Sequence, residues 1–363
     1  MSQPCVTPRR GTLVLTGSDV RALLTYDDCI AAVEAAFAAY ARGEIAPPAV
    51  LGVHVEGGGF HIKTATFGVE PRYFAAKVNA NFPGNGDRFG LPTIQGVLTL
   101  FDASCGNPLA IIDSAEVTSI RTAAATAVAA KHLAPRDSEV VTICGCGEQG
   151  RSQLRALSRV LPIRTVLAFD VDATRAEAYA RAMSDELGLA VAASSDLGGA
   201  IRRSDVCVTC TTSRRAIVSR SDVEAGTFIA AVGADNPEKR EIDAGLLTAS
   251  TVVVDVLEQC ATIGDLHHAI AAGVMTRADV HAELGEIVAG MKPGRRSDDE
   301  IIVFDSTGTA LQDVAAAALL YERALHAGSA MSLDLAATPV SARPAGPRVP
   351  RVGPAPSWPP PRP

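Results

Sequence analysis

The run Gly145-Cys146-Gly147-Glu148-Gln149-Gly150 spaces three glycines as G-x-G-x-x-G. The pattern is short, so its flanks carry the argument. An apolar run, VVTIC (140–144), precedes it and an amphipathic stretch, GRSQLRALSRVL, follows, which sets the glycines where a strand turns into a helix. The first glycine permits the tight turn, and the second lets a pyrophosphate approach the backbone. The third lets helix and strand pack closely, while the helix N-terminus adds amide donors and partial positive charge. The next apolar run, TVLAFD, ends at Asp170. A carboxylate there binds both ribose hydroxyls of NAD and repels the 2′-phosphate of NADP. Arg175 stands too far into the following helix to serve as a phosphate partner. The chemistry read here is therefore dinucleotide binding, with NAD preferred to NADP.

Other chemistries find little support. Cys207-Val-Thr-Cys210 has C-x-x-C spacing but lies in the apolar run VCVTC, where thiols act as small hydrophobes. No H-x-x-x-H or Cys/His cluster has metal-ligand spacing, so no catalytic metal is expected. His267, His268 and His281 stand outside any such pattern, and no G-x-S-x-G elbow is present. The balance of 33 basic and 40 acidic residues, with 4% aromatics, argues against nucleic acid or an anionic membrane as partner. The most alanine-rich run, 310–327, is interrupted by Gln312, Asp313, Glu322 and Arg323, and the first ten residues contain no apolar core of a signal peptide. Eight cysteines in 363 residues do not make a disulfide framework. Together these features predict a cytoplasmic protein.

The fold class expected around the glycine turn is α/β. Near-continuous apolar runs at 140–144, 165–170, 189–194, 206–211, 228–233, 251–256 and 301–306 alternate with amphipathic stretches, which predicts a Rossmann-type doubly wound parallel sheet over residues 135–306. Before it, one long helix is expected over 18–42. The strand-like pieces VLGVHV, FHIKTATF, YFAAKVNANF and PTIQGVLTLFD follow without intervening helices, and a helix over about 115–134 closes the segment. A helix over 309–327 can pack back onto this part. A discontinuous α+β substrate and dimerisation domain, 1–134 with 307–330, is the result. Residues 336–363 are dense in proline and read as a disordered tail, with Trp358 in no pattern.

Several blocks resemble the ornithine cyclodeaminase/mu-crystallin family. They are FGLPTIQGVLTLFDASCGNPLAIIDSAEVTSIRTAAATAVAAKHLAPRDSEVVTICGCGEQG, then VGADNPEKREID, HAELGEIVAG and FDSTGTALQDVAAA, in the family's order and spacing over roughly residues 13–327. The resemblance implies a homodimer. It also implies a small amino- or imino-acid substrate, though the family spans cyclodeaminases, alanine dehydrogenases, ketimine and imine reductases, and a lens protein. By position Lys77 matches the family's active-site lysine, Arg121 the arginine that grips the substrate carboxylate, and Asp235 the acid beside the nicotinamide. Thr93 falls near substrate and nicotinamide. Thr122, Gln149, Thr211, Ser306 and Gly308 are assigned to the cofactor side. These residue types suit the chemistry: guanidinium binds carboxylate bidentately, and a lysine beside another cation exchanges protons near neutrality.

Two departures shift the expectation. Where many members carry an arginine after a pair of prolines, this chain has Ala49 and Val50. Lys63, on the next strand, can restore the missing charge. His61 falls near the glutamate that meets the substrate nitrogen in ornithine cyclodeaminases, and a histidine offers no permanent anion. Hydride transfer at the α-carbon of a small 2-amino acid or its imine is therefore favoured. A cyclodeaminase that recycles its NAD and a nucleotide-binding protein without turnover are the alternatives.

Overall fold

Among the described residues the chain forms two large sheets and one small two-stranded one. In the computed structural model, which describes residues 11–68 and 71–335, the first part runs β1 (Thr12–Leu15), α1 (Gly17–Leu23), α2 (Tyr26–Ala41), β2 (Ala49–Val55), β3 (Gly58–Phe67), β4 (Tyr73–Asn81), α3 (Asn85–Phe89), β5 (Ile94–Asp102), β6 (Pro108–Asp113) and α4 (Ser114–Leu133). The second runs β7 (Val140–Cys144), α5 (Glu148–Leu157), β8 (Thr165–Phe169), α6 (Ala173–Leu187), β9 (Ala190–Ala193), α7 (Leu197–Ile201), β10 (Val206–Thr209), β11 (Arg214–Val218), β12 (Phe228–Ala231), β13 (Arg240–Ile242), α8 (Ala244–Thr248), β14 (Thr251–Val254), α9 (Leu257–Ile263), α10 (Asp265–Ala271), β15 (Ala282–Glu283), α11 (Leu284–Val288) and β16 (Ile302–Asp305). The helix α12 (Ala310–Ala327) and β17 (Met331–Leu333) complete it.

The second part forms an eight-stranded sheet in the order β15-β14-β16-β12-β10-β7-β8-β9, parallel at every pairing. Its central strands β10, β12 and β16 are wholly buried, as their unbroken apolar composition requires. Phe228 and Phe304 lie at full burial, each contributing roughly 1.5–3 kcal/mol. The strand order reverses between β7 and β10, the switch point where open α/β sheets bind ligands. Run 189–194 departs from the expectation of burial on both faces. As β9 it is the sheet's edge, and three of its four residues are exposed.

The first part forms a mixed sheet, β17-β1-β6-β5-β4-β3-β2. The strands from β2 to β6 pair antiparallel, while β1 runs parallel to β6. Strands β1, β6 and β17 were not foreseen. The single helix expected over 18–42 is two. The chain leaves helical geometry at Leu24, and Thr25 caps α2 by accepting the amide of Asp28. α12 lies against β3 and β4 and also touches α2 and α4. α4 packs against α2, α5 and α12, and its alanines from 123 to 130 permit that close approach. Along β2 every residue is exposed, leaving Val50, Leu51, Val53 and Val55 on an uncovered edge strand.

The stretch 336–363, read as a proline-rich tail, lies outside the described residues. Among the described residues no helix is long and apolar enough to cross a membrane. Cys29, Cys144, Cys146, Cys207, Cys210 and Cys260 are free thiols, and Cys105 is disulfide-bonded.

Candidate active site

The antiparallel register of β3 and β4 sets the site out in rows. On the face covered by α12, Ala65 stands opposite Ala75, Lys63 opposite Lys77, and His61 opposite Asn79. The alanine row is small enough for the helix to sit down on it. The next row points two ammonium groups into the space between sheet and helix. Lys63 is 7% exposed and Lys77 2%. From α4 comes Arg121, 4% exposed, and from α12 comes Asp313, 1% exposed.

Asp313 organises these three cations. Its Oδ1 accepts from Lys77 Nζ at 2.8 Å and lies 2.8 Å from Arg121 Nε, the latter an ionic contact without hydrogen-bond alignment. Arg121 Nη1 donates to Gln312 Oε1 at 2.5 Å. Lys63 Nζ donates to the carbonyls of Thr307 at 3.1 Å and Gly308 at 2.5 Å. Burial and the neighbouring Arg121 depress the Lys77 ammonium; the carboxylate of Asp313 opposes them, and Lys77 settles at about 7. Burial, then Arg121, also lowers Lys63. Burial pushes Asp313 toward neutrality, but Arg121 and Lys77 outweigh it and hold the carboxyl ionised. Three buried cations thus share one buried carboxylate in direct contact with two of them, and among the described residues the Asp313 Oδ2 atom has no hydrogen-bond partner.

This cluster opens into a cleft of about 240 Å³, lined also by His61, Asn79, Thr118, Thr122, Gln149, Thr211, Asp235 and Gly308. His61 is half-buried; desolvation pulls its pKa below the usual value, against the pull of Asp235. Asp235 keeps 44% of its side chain exposed and pairs with Lys239 at 2.7 Å. Desolvation at the cleft wall works against its charge, and Lys239, Lys63 and His61 overcome it, leaving the carboxyl below its ordinary range.

Two buried acids hold the loops around the cleft. Asp255 accepts from Gly308 N at 2.8 Å and from the Ser306 and Thr307 hydroxyls at 3.2 Å each. Glu241 accepts from Thr211 N and Oγ1, from Thr209 Oγ1 and from Gly233 N, all within 2.6–2.8 Å. Burial, reinforced by Asp265, raises Glu241 to about 7. Gly308 has φ +72°, and a Cβ on it would stand 2.6 Å from Arg121 Nη1. Only glycine leaves room for the guanidinium there.

The glycine turn lies at the end of β7, beside β10. Gly145 has φ +106°, and a Cβ there would meet the Cys210 carbonyl at 2.8 Å. At Gly150 a Cβ would meet the Gly145 carbonyl at 2.2 Å, so this glycine sets the helix–strand approach. Around Gly147, the N-cap of α5, there is open space. Asp170 Oδ2 accepts from Cys146 N at 2.9 Å, and Oδ1 from Asp172 N at 3.0 Å. Open space at the helix start, an N-cap with no side-chain hydrogen bond to the first-turn amides, and a carboxylate just past the end of β8 fit a dinucleotide.

Of the residues singled out in the sequence, nine meet at the cleft: His61, Lys63, Lys77, Arg121, Thr122, Gln149, Thr211, Asp235 and Gly308. Thr93 is exposed and does not line it, though its neighbour Ile94 does. Ser306 is buried with its hydroxyl on Asp255, behind the cleft wall. Asp313, Asp255 and Glu241 were missed. The signal for Asp313 is an acid set against the run of alanines in the first half of an alanine-rich helix. Among the described residues no His/Cys/Asp/Glu group is arranged to hold a metal.

The family model described as "Ornithine cyclodeaminase/mu-crystallin family" matches residues 10–328. Alanine dehydrogenase of Archaeoglobus fulgidus is 41% identical over 314 residues, spanning 86% of this chain and 95% of that protein. A solved archaeal alanine dehydrogenase dimer with bound NAD superposes with a TM-score of 0.85 at 40% identity, covering 89% of this chain and 99% of that one. Δ1-Pyrroline-2-carboxylate reductase of Thermococcus litoralis, solved with NADH and L-proline, gives 0.84 at 33% identity over 89% and 100% of the two chains. Iminosuccinate reductase of Paracoccus denitrificans, solved with NAD+, gives 0.82 at 32% identity over 89% and 99%.

Proposed function

The chain belongs to the ornithine cyclodeaminase/mu-crystallin family, and from that premise we propose that it is an NAD(H)-dependent oxidoreductase acting at the α-carbon of a small 2-amino acid or its 2-imino or cyclic ketimine form. The observation that carries this reading is the buried excess of positive charge: Lys63, Lys77 and Arg121 around Asp313, at the mouth of the sheet that bears the glycine turn. A substrate carboxylate completes the balance there. Arg121 and Lys63 grip it, one with a planar fork and the other with a point charge.

Gly145, Gly147, Gly150 and the start of α5 hold the NAD pyrophosphate, Asp170 the ribose, and Thr122, Gln149, Thr211 and Gly308 the nicotinamide side. Bound NADH supplies the hydride. Lys77 protonates the imine nitrogen in the reductive direction and takes the proton back in the oxidative one. With Lys77 at about 7, reduction needs its charged form and weakens as pH rises through that value; oxidation strengthens over the same range. Asp235, kept ionised by Lys239, stabilises positive charge on the nitrogen. A cyclodeaminase needs an anion for the distal ammonium of ornithine or lysine, and the His61–Asn79 row offers none. The uncovered β2 edge, with Val50, Leu51, Val53 and Val55, serves as part of a homodimer interface.

A panel of 2-keto acids with ammonia or methylamine, cyclic ketimines, ornithine and lysine tests the reading. Stoichiometric NADH loss with a keto acid or ketimine is expected. Ammonia release from ornithine with catalytic NAD and no NADH accumulation overturns it. Sedimentation as a strict monomer at micromolar concentration overturns the dimer.

A further inference from the structure

Beyond the row that carries Lys63 and Lys77, the β3–β4 ladder continues outward. His61 stands opposite Asn79, and both line the same cleft. One row lies two residues from the next, about 6.6–6.8 Å along the strand. Asn79 is held in place from two sides. Ser114 Oγ, fully buried at the start of α4, donates to Asn79 Oδ1 at 2.6 Å. On the neighbouring strand the partner of Asn79 is Gly96, where a Cβ would stand 2.4 Å from Asn79 Oδ1 and 2.8 Å from Ser114 Oγ. The glycine therefore makes room for this bond. With its oxygen occupied, the carboxamide has its NH2 free of any acceptor among the described residues. Among the described residues the His61 ring likewise has no hydrogen-bond partner. An unpaired carboxamide NH2 and an imidazole that, in its neutral form, offers one N–H donor and one acceptor nitrogen thus stand one row out from the carboxylate cluster.

Resting on the functional reading above, we propose that His61 and Asn79 form a side-chain subsite for a hydrogen-bond acceptor. The substrate is then a 2-imino or 2-amino acid of about four or five carbons ending in a carboxylate or carboxamide, a length set by the row spacing. A distal methyl leaves the Asn79 NH2 and the His61 N–H unpaired in the cleft. Sites that pair with a substrate's polar group reject the analogue lacking it far more strongly than apolar pockets reject a missing methylene.

The test compares, with NADH and ammonia, oxaloacetate, its equal-length apolar counterpart 2-oxobutyrate, and pyruvate. In parallel, calorimetry compares succinate and butyrate binding to the NAD-loaded protein. A preference of about 100-fold in kcat/KM for oxaloacetate over 2-oxobutyrate is expected, with succinate bound at least about 10-fold tighter than butyrate. Asn79→Leu and His61→Leu should each shrink the kcat/KM ratio about 10-fold. Should one variant fail to fold, the other and the wild-type ratio still decide. Equal use of 2-oxobutyrate and oxaloacetate, or a ratio unmoved in the folded variants, overturns the subsite while leaving the oxidoreductase intact. No NADH oxidation with any of the three, nor with the methylamine and cyclic ketimine arms of the panel above, and no binding of either acid, overturns the oxidoreductase reading itself.

Discussion

The two walls of the cleft are made of different material. On the nucleotide side, the turn after β7 works through backbone: glycines that leave space, amides at a helix start, and one carboxylate at the end of the neighbouring strand. On the substrate side, the wall works through side chains from β3, β4, α4 and α12 that meet only in the folded molecule. A backbone site tolerates many side chains but no added Cβ. A side-chain site tolerates backbone neighbours but no change in charge.

Substitutions separate these two kinds of wall. The largest effect is expected for Asp313→Asn, which leaves two buried cations without their anion and costs about 3–5 kcal/mol of stability, read as a lower urea midpoint. The same change removes a charge that raises the Lys77 pKa, so the pH limb of reductive kcat/KM should move acidward. A limb that stays in place would detach it from Lys77. Lys63→Met comes next, with kcat/KM down about 10- to 150-fold, the worth of a charge-assisted hydrogen bond. Because Lys63 also binds the Thr307 and Gly308 carbonyls, the KM for NADH should rise too. An unchanged kcat/KM would make this lysine purely structural. On the other wall, Gly150→Ala forces the start of α5 away from β7 and should weaken NADH binding by roughly 10- to 100-fold, while succinate binding to the cofactor-free protein persists. The smallest effect is expected for Asp170→Ser: NADH affinity down about 10-fold, with the preference over NADPH narrowed. A variant still strongly selective for NADH would place discrimination elsewhere.

The same contrast explains what was legible in the sequence. Gly145, Gly147, Gly150 and Asp170 lie close in the chain because a backbone site is local, and the alternation of apolar runs gave away the parallel sheet around them. Lys77, Arg121 and Asp235 came from family likeness, since no local pattern marks a lysine on a strand as buried. Asp313 was invisible because its partner Lys77 is 236 residues away. Lys63 was read as a replacement charge, but its hold on the 307–308 carbonyls depends on a fold contact across 244 and 245 positions. The break between α1 and α2 was written in Thr25-Tyr-Asp-Asp28, a helix-start signal overridden by the apolar periodicity on both sides. Ser306 was placed within two positions of a residue that lines the cleft, yet its hydroxyl turns inward to Asp255.

The position of Asp313 on the last long helix imposes an order of events on synthesis. Lys63, Lys77 and Arg121 leave the ribosome long before their counter-charge does. Until residue 313 has emerged and α12 has docked on β3 and β4, those three cations have no reason to enter the interior, where unpaired charge is costly. The residues of the nucleotide turn, from β7 to Asp170, are by contrast all made within one short stretch of chain. The parts of the dinucleotide turn are therefore complete in the chain well before those of the acid's site, which gains its counter-charge last.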